Sequence, residues 1–505
     1  MRPRLVFLSV ALLLCSGAAA GPISTTRATV NGKACTVVTW SDSHGKPRTL
    51  SMIDDRPAAT SMTYYIGNEL VTDNELNHAI GEMVNHGSCG ATVSSNGSSE
   101  VVSSQPLKGS DHLIFRYTFK QKMCSEPGKQ WRVCEDWVFR SGQDSFLQAV
   151  AFDSSDVPAG EFLGDDLRGP YCQTDWPRAK GVSRVAWGNS HKFQTTSAFI
   201  PVPASCLYSC SGKASWIWEE PNTIPYVWEW CDPKLGASVD REWGIVQNLP
   251  DSVMDFGGAY YATGNMPAAL PARSVGDAMP ECWAAPTQMS CYDSAWNSGR
   301  ITWGAVGNNG NVGADRSVFN NGHHNDRRSR VMGDIFRPVA GFSWMHLIDA
   351  HSADGVRRLV RDTENIFAST LSATVGTVNA AGPRGPGNHV GPGVGGQIVA
   401  GVMPSMTYPN PGFDHVYRTW NATASHGKLA LTLKVSGSLV KPSFVVFDFP
   451  ASSPCSVQVA GKLQVAGKDY FADYDAAGKK LWLTLTKDLG PGVQKILISG
   501  DCAGH

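Results

Sequence analysis

Short runs in which apolar and polar residues alternate, separated by turn residues, fill the N-terminal part of the chain. Residues 112–119 are one such run, in which every second residue is apolar or aromatic. This spacing is typical of a β-strand that buries one face. Because residues 35–40 and 137–139 have the same character, we predict an N-terminal β-rich region over residues 21–204.

The dipeptide Asn96-Gly97 lies between two of these runs, at residues 91–93 and 101–102. Asn-Gly is a preferred two-residue turn in β-hairpins. The pattern therefore predicts that the two runs pair with each other.

One segment has helical periodicity. After Ser352, a candidate N-cap, its less polar positions recur three or four residues apart: Val356, Leu359, Val360, Thr363, Phe367 and Leu371. Charged residues occupy other positions: Arg357, Arg358, Arg361, Asp362 and Glu364. The pattern predicts an amphipathic helix that packs on a sheet, with its charged side facing solvent.

The helix falls in an aromatic-rich region, residues 205–375, which we expect to hold the catalytic residues and to form one unit with the region before it. Residues 376–400 are rich in glycine and proline, a composition that is typical of a flexible linker or of a long active-site loop. Together with the C-terminal pattern below, this predicts a mainly β, multidomain protein. Its β-rich catalytic region would contain one or few helices, followed by a small C-terminal antiparallel β-sandwich.

Alternating apolar positions return after residue 400, in short segments separated by Ala-Gly and Gly-Pro-Gly turns. Several strands at this spacing predict an antiparallel β-sandwich over residues 401–505, which Cys455 and Cys502 could close with one disulfide. Segments 457–470 and 480–485 resemble the accessory β-modules of exported polysaccharide-degrading enzymes. That resemblance implies an exported multidomain enzyme without indicating a particular family.

The first 20 residues have the pattern of a secretory signal peptide. Arg2 and Arg4 form the basic start, residues 5–14 the apolar core, and residues 18–20 a small-residue cleavage site. The apolar run is too short to span a bilayer. We therefore expect a secreted, extracellular protein (periplasmic if the source is bacterial) that does not insert into a membrane.

The cysteine count fits export. Of 13 cysteines, Cys15 lies in the predicted signal peptide, and the remaining even number favours disulfides in an exported protein. Cys206 and Cys210 have a tolerable spacing for zinc, but no second Cys or His pair follows at finger-like distance. Disulfides are therefore preferred over a metal site.

The net charge and the composition of the chain limit which binding partners are expected. With 43 basic and 44 acidic residues, the net charge of −1 argues against nucleic acid as the main partner. The 52 glycines and 30 prolines suit a turn-rich β architecture. No cofactor is expected: Asp315, Asn325 and Asp326 could offer oxygens to Ca²⁺, but no spaced calcium-loop pattern supports that. The oligomeric state is not indicated.

The chemically densest segment is residues 216–230, with four tryptophans, a tyrosine and three carboxylates. Half of the chain's 16 tryptophans lie between residues 216 and 303. Flat aromatic faces match the apolar faces of sugar rings, and carboxylates bind hydroxyls or move protons. A polysaccharide is therefore the expected partner, with Trp218, Trp228 and Trp243 as candidate sugar platforms.

Paired carboxylates in this region predict a glycoside hydrolase. If the two halves of segment 216–230 form strands, alternation puts Glu220 among aromatic side chains, where desolvation would raise its pKa. Asp240 and Glu242 share a face on either side of Arg241, which would keep a neighbour ionised. Glycoside hydrolysis needs one protonated and one ionised carboxyl. Glu220 is thus the expected acid, with Glu242 or Asp240 as nucleophile or base; the alternative is that the tryptophans are core packing and the glutamates face outward.

A second constellation supports a different chemistry. The turn-rich loop 320–330 contains His323, His324 and Arg327, which suit an acidic sugar: Arg neutralises a uronate carboxylate while His takes the adjacent proton. A polysaccharide lyase that acts by β-elimination is therefore the first alternative, unless the loop is only a solvated surface segment. The second is a non-catalytic carbohydrate-binding or adhesion protein, which would use the same tryptophans without proton chemistry.

Several familiar motifs are absent from the chain, among them Gly-x-Ser-x-Gly, His-Glu-x-x-His and the phosphate-binding loop. Their absence disfavours serine esterases, zinc proteases and phosphate-loop nucleotide enzymes.

Overall fold

A computed structural model of the chain describes residues 22–73, 77–86, 92–93, 99–107, 110–122, 130–153, 167–175, 184–188, 200–201, 224, 226–248, 283–284, 287–288, 300–303, 339–380, 410–450, 453–476 and 478–500. The predicted signal peptide and the histidine-containing loop 320–330 lie outside the described residues. So does most of the glycine- and proline-rich segment.

The first sixteen strands, in chain order, are β1 (Ser24–Val30), β2 (Lys33–Ser41), β3 (Pro47–Ile53), β4 (Ala58–Ile66), β5 (Glu69–Asp73), β6 (Asn77–His86), β7 (Thr92–Val93), β8 (Ser99–Leu107), β9 (His112–Lys122), β10 (Gln130–Arg140), β11 (Ser145–Asp153), β12 (Leu167–Asp175), β13 (Arg184–Gly188), β14 (Ile200–Pro201), β15 (Tyr226–Cys231) and β16 (Arg241–Gln247). The remaining strands are β17 (Trp283–Ala284), β18 (Thr287–Gln288), β19 (Arg300–Trp303), β20 (Val339–Ala350), β21 (Thr370–Val375), β22 (Thr377–Val378), β23 (Phe413–Asp414), β24 (Thr419–Thr423), β25 (Lys428–Val435), β26 (Ser443–Phe447), β27 (Ser456–Val459), β28 (Lys462–Leu463), β29 (Tyr470–Asp475), β30 (Lys480–Leu485) and β31 (Gly492–Ser499). A 3₁₀ helix, Pro233–Leu235, follows β15, and one α-helix, α1 (Gly355–Phe367), follows β20 in the described part of the chain. The mainly β prediction is confirmed.

The described strands form four sheets. Sheet I has 11 strands, in the order β1-β2-β3-β4-β6-β12-β19-β18-β17, with β5 paired to β4 and β7 to β6. Sheet II has nine, β14-β13-β15-β16-β20-β11-β10-β9-β8. Sheet III has five, β21-β25-β31-β27-β28, and sheet IV has six, β22-β24-β26-β30-β29 with β23 beside β24.

The predicted hairpin around Asn96-Gly97 is wrong. The strand before it, β7, pairs with β6 in sheet I, whereas β8 after it pairs with β9 in sheet II. The intervening residues therefore link two different sheets.

Sheets I and II pack face to face. Trp40 of β2 donates its indole N–H to the Gln143 carbonyl at 3.0 Å, and the Tyr117 hydroxyl of β9 donates to the Ile53 carbonyl at 2.6 Å. Arg48 of β3 lies under β20, with its guanidinium 3.1 Å from a carboxylate oxygen of Asp349. Because Trp40, Arg48 and Tyr117 are all buried, the layer between the two sheets is closed to water at these points.

Sheet II is covered on its second face as well. All residues from 112 to 118 in β9 are buried, although the alternating pattern implied one polar, exposed face. Tyr117 points to sheet I, while Ile114 belongs to a hydrophobic cluster that also contains Trp228 of β15 and Val356 of α1. The helix and the C-terminal strands supply this second cover.

The helix α1 matches its predicted apolar face and departs from its predicted polar one. Its buried residues are Val356, Leu359, Val360, Asp362, Thr363 and Ile366, and the Ser352 hydroxyl accepts a hydrogen bond from the Gly355 amide at 2.7 Å. Asp362 was expected to face solvent but is 2% exposed and paired with Arg418. That expectation is wrong because the C-terminal strands pack against this side of the helix; Leu371 lies in β21.

Sheets III and IV form the predicted C-terminal β-sandwich. Its core includes Leu429, Leu431, Leu433, Phe444, Leu481, Leu483, Ile496 and Ile498. One strand pair, β24 with β26, is parallel rather than antiparallel. Because β21 and β22 already belong to sheets III and IV, the sandwich begins at residue 370, soon after α1 and well before the expected boundary at 401.

Buried polar contacts attach the sandwich to the body formed by sheets I and II. Asp473 of β29 accepts hydrogen bonds from the backbone amides of residues 110–112 and lies 3.0 Å from His112 Nδ1. The Tyr417 hydroxyl donates to an Asp136 carboxylate oxygen at 2.5 Å. The two units are thus docked through specific side chains.

The sequence predicted that the cysteines form disulfides, and two of them do not. Cys35 and Cys231 are buried and carry no disulfide. Burial raises the pKa of the Cys35 thiol and that of Cys231 to about 12. Cys455 is disulfide-bonded, and Cys502, the partner expected from the sequence, lies outside the described residues.

Candidate functional site

Five of the predicted site residues lie outside the described residues: Trp218, Glu220, His323, His324 and Arg327. The other four, Trp228, Asp240, Glu242 and Trp243, lie in or beside the neighbouring strands β15 and β16. The site is therefore built here from these two strands and from what packs against them.

The two predicted sugar platforms in this region are core residues. Trp228 is 0% and Trp243 is 3% exposed. Trp228 belongs to the hydrophobic cluster under α1, and Trp243 lies on the other face of sheet II, where its indole N–H donates to His346 Nδ1 at 3.4 Å. A platform for sugar needs an open ring face, so this part of the expectation is corrected: both rings have a packing role.

Glu242 is a buried glutamate near the N-terminal end of β16. Its Cα pairs with Trp230 of β15 on one side and Asp349 of β20 on the other. The Glu242 Oε2 atom lies 2.8 Å from His351 Nδ1 and accepts a hydrogen bond from the Ser352 amide at 3.1 Å. Burial raises the pKa of this carboxyl, and the contacts with His351 and Ser352 oppose that shift without cancelling it. Glu242 therefore keeps its proton to a higher pH than an exposed glutamate does.

A chain of contacts links Glu242 to the surface. The His351 imidazole stacks on Trp230, with ring centroids 3.9 Å apart and an interplanar angle of 15°. Trp230 is partly exposed, and its indole N–H donates to Asp240 Oδ1 at 2.7 Å; Asp240 itself is exposed. We call Asp240, Trp230, His351 and Glu242 the acid–aromatic cluster. It has an exposed carboxyl at one end and a buried one at the other.

Arg241 does not act on these carboxyls as the sequence implied. Successive side chains of a strand point to opposite faces, and Arg241 points to sheet I, where it forms an ion pair with Asp73 at 2.8 Å. Asp240 immediately precedes β16 and its carboxylate contacts Trp230, whereas the Glu242 carboxyl contacts His351. The partners of these carboxyls are therefore the indole and the imidazole.

Two glycines allow α1 to lie directly on β15 and β16. Gly355 has φ +25°, and a Cβ there would lie 2.6 Å from a Trp228 ring carbon and closer still to the Glu242 carboxylate. A Cβ at Gly244 would collide with the Val356 side chain. The first turn of α1 therefore closes over Glu242 and separates it from bulk water.

Sequence reasoning missed His351. This residue follows β20, which lies far from β16 in the chain but pairs with it in sheet II. No spacing rule connects the two strands, because their neighbourhood depends on the sheet order. The available signal was a single histidine between an apolar run and the Ser352 helix start, which by itself is weak.

Chemically, the acid–aromatic cluster can hold and move a proton. Glu242 keeps its proton to a higher pH than an exposed glutamate does, and the His351 imidazole, which has one nitrogen facing the carboxyl and a second ring nitrogen, lies against it. Asp240 presents a carboxyl at the surface beside the partly exposed Trp230 ring. This combination suits proton transfer beside an aromatic ring of the kind that packs against sugars.

Elsewhere in the described residues, Asp42, His44 and Asp144 lie close enough together to hold a metal ion. Arg48 already contacts both carboxylates, at 3.6 Å from Asp42 and 4.0 Å from Asp144. Backbone amides of His44 and Lys46 also donate to Asp42 at 2.8 Å each. These contacts account for the group as an ion-pair network, and we assign no metal to it.

No model of a known protein family matches the chain, and no curated protein matches it in sequence. Within the described part of the chain, no helix combines the length and the apolar character needed to cross a membrane.

Proposed function

We propose that this protein is a secreted glycoside hydrolase that cleaves a polysaccharide, with the acid–aromatic cluster as its reactive site. The observation that carries the proposal is the unbroken path of contacts from the exposed Asp240 through Trp230 and His351 to the buried Glu242. Glycoside hydrolysis needs one carboxyl that provides a proton and another that acts as base or nucleophile. Asp240 takes the second role.

Glu242 provides the proton indirectly in this proposal. Its 1% exposure keeps it from touching a sugar, so it shares its proton with His351; the His351 side chain is itself only 7% exposed, and the proton reaches the leaving oxygen only when the cover over this pair opens. Trp230 offers the ring face against which a sugar packs, the role that Trp228 and Trp243 cannot fill. Glu220, outside the described residues, stays a candidate for direct proton donation.

The contact between His351 and Glu242 also favours the lyase alternative. The contact between Glu242 Oε2 and His351 Nδ1 orients the imidazole, as a carboxyl group does for a histidine base, which would make His351 a base for the C5 proton of a uronate. Arg327, His323 and His324 stay candidates for binding the uronate. The two chemistries give different products and can be separated directly.

The test uses four variants, Asp240→Asn, Glu242→Gln, His351→Asn and Glu220→Gln, on a panel of neutral and uronate-containing polysaccharides. Released reducing ends report hydrolysis, and ultraviolet absorbance of an unsaturated product reports elimination. Loss of a general acid or base lowers rates on the order of 10²-fold or more, which we expect for Asp240→Asn and His351→Asn. Asp354→Asn is the matched control, because Asp354 is an exposed neighbour that pairs with Arg361.

Asp240 is exposed, so its variant should unfold at the same temperature as the native protein, and lost activity would then reflect chemistry. If the native protein releases unsaturated products, its reaction is elimination and not hydrolysis. Binding without either product would identify a non-catalytic carbohydrate-binding protein. Full activity of both Asp240→Asn and His351→Asn would rule out the acid–aromatic cluster as the reactive site.

A further inference from the structure

A cavity lies where sheet II, α1 and the C-terminal sandwich meet. We call it the interface cavity. Its polar lining comes from all three parts and includes Arg140, Gln143, Ser145, Asp362, Arg418, Lys441 and Ser443. None of these residues belongs to the acid–aromatic cluster, so the cavity is a separate feature of the molecule.

The ionisable side chains of the interface cavity do not balance. Three are cationic and one, Asp362, is a carboxylate. Asp362 is already engaged, since it pairs with Arg418 and accepts a hydrogen bond from the Val440 amide at 2.7 Å. Lys441 Nζ donates to the Gly142 carbonyl at 2.6 Å, and the Asp144 and Asp488 carboxylates, outside the lining, partly offset its charge. Among the ionisable side chains of the lining, this leaves the positive charge of Arg140 as the surplus.

Arg140 concentrates this surplus in the buried part of the cavity. It is 7% exposed, its Nη2 donates to the Tyr417 carbonyl, and its guanidinium lies over the Trp482 ring, 5.6 Å from the centroid. Its Nε has no hydrogen-bond partner, and no carboxylate among the described residues pairs with it. Burial, with help from the nearby Arg418, lowers the pKa of Arg140 to about 9.

A buried charge without a counter-charge is costly, because the desolvation of the ion is not compensated. Guanidinium groups bind carboxylate and sulfate groups through two parallel N–H donors. We propose that the interface cavity is an oxyanion-binding site, in which Arg140 holds a carboxylate or sulfate group and Lys441, at the partly exposed rim, offers a second cationic donor. An anion bound there would join the body to the C-terminal sandwich.

The test compares thermal unfolding of the native chain in sodium chloride with unfolding in sodium acetate, sodium glucuronate or sodium sulfate at equal ionic strength. Because a ligand that binds only the folded state raises stability with concentration, we expect a saturable rise of a few degrees. Acetate and sulfate represent a free small anion, and glucuronate represents the acid group of a sugar. A response to glucuronate alone would assign the cavity to a sugar acid.

Arg140→Gln is the diagnostic variant, since glutamine keeps a donor for the Tyr417 carbonyl and removes the charge. In chloride it should unfold at the same temperature as the native chain or higher, and added oxyanion should no longer raise that temperature. Arg27→Gln is the matched control: Arg27 is on β1, outside the lining of the cavity, and its exposed side chain pairs with Asp54. It should respond like the native chain.

Two results would overturn the proposal. One is a native chain that gains no more from any of the three oxyanions than from chloride. The other is an equal gain in Arg140→Gln, which would indicate a general salt effect. If Arg140→Gln does not fold, Lys441→Gln replaces it at the partly exposed rim, where a several-fold weaker apparent affinity is expected and an unchanged one would contradict the site.

Discussion

At the scale of single residues, Glu135 shows how the layer between sheets I and II accommodates a carboxyl. It is 0% exposed, and Trp137 donates its indole N–H to Oε1 at 2.6 Å. Its other oxygen has no hydrogen-bond partner among the described residues. Burial raises the pKa of this carboxyl well above its ordinary value, because the uncharged form is cheaper to desolvate. The folded protein therefore holds a proton that the unfolded chain releases.

Glu135→Gln should flatten part of the pH dependence of stability. A folded-state pKa above the unfolded value of 4.5 means that the stability linked to this proton is present below that pH and is lost as pH rises towards the folded pKa. Glutamine cannot ionise and still accepts from Trp137, so the variant should lose less free energy of unfolding between about pH 5 and about pH 8. Urea unfolding at both pH values measures this.

The control for Glu135→Gln is Glu69→Gln, at an exposed position of β5, which should behave like the native chain. If the Glu135 variant and the native chain lose equal free energy of unfolding over the same pH interval, the Glu135 carboxyl is not protonated in the folded protein.

At the scale of elements, the contact between α1 and β16 depends on Gly244. A Cβ at this position would lie too close to the Val356 side chain for either residue to stay in place. We expect Gly244→Ala to lower the free energy of unfolding by about 1–3 kcal/mol, the usual cost of overpacking. Gly490→Ala is the matched control, because nothing lies within 4 Å of a Cβ at Gly490.

Urea unfolding of the two alanine variants measures the difference. The double variant Gly244→Ala with Val356→Ala should lose less than the sum of the two single changes, since removing the valine methyl groups makes room for the new Cβ. Equal costs for Gly244→Ala and Gly490→Ala would contradict the close packing of α1 on β16.

The sequence predicted those strands and the helix whose pattern is local. Period-two alternation identified β9 and the strands of the C-terminal sandwich, because burial of alternate side chains is a local property. The spacing after Ser352 identified α1 for the same reason. Local pattern does not specify sheet order, so it wrongly paired β7 with β8. It also gave no reason to expect β20 between β16 and β11.

The candidate site was predictable to the same extent. Alternation predicted that Asp240 and Glu242 share a face, and the structure links their carboxyls through Trp230 and His351. The burial of Trp228 and the partnership of Glu242 with His351 depend on α1 and β20, which arrive from distant parts of the chain. Aromatic density in a sequence thus suggests a region for a site but does not indicate which ring is exposed.

At the scale of the whole molecule, one group of the contacts that hold the C-terminal sandwich centres on a single carboxylate. Asp473 lies between the sandwich and strand β9, and His112 below it also contacts Thr484 at 2.7 Å and stacks on Trp482. Burial alone would raise the pKa of Asp473, but hydrogen bonds from His112 and from the amides of Ser110 and Asp111 outweigh it and lower the pKa to about 2. The ionised form is therefore the form that docks.

Lowering the pH should weaken the attachment of the C-terminal sandwich to the body. A folded-state pKa of about 2 against an unfolded value of 3.8 gives stability that is present above the unfolded pKa and lost as pH falls through the folded one; the difference corresponds to about 2 kcal/mol. Asp473→Asn should lose a similar amount at neutral pH and should show a weaker acid transition. Urea unfolding across this pH range, with limited proteolysis as a probe of the freed sandwich, measures both effects. Asp475→Asn, whose carboxylate accepts from Gly478 within the sandwich, should behave like the native chain, and an unchanged acid transition in Asp473→Asn would show that docking does not depend on this carboxylate.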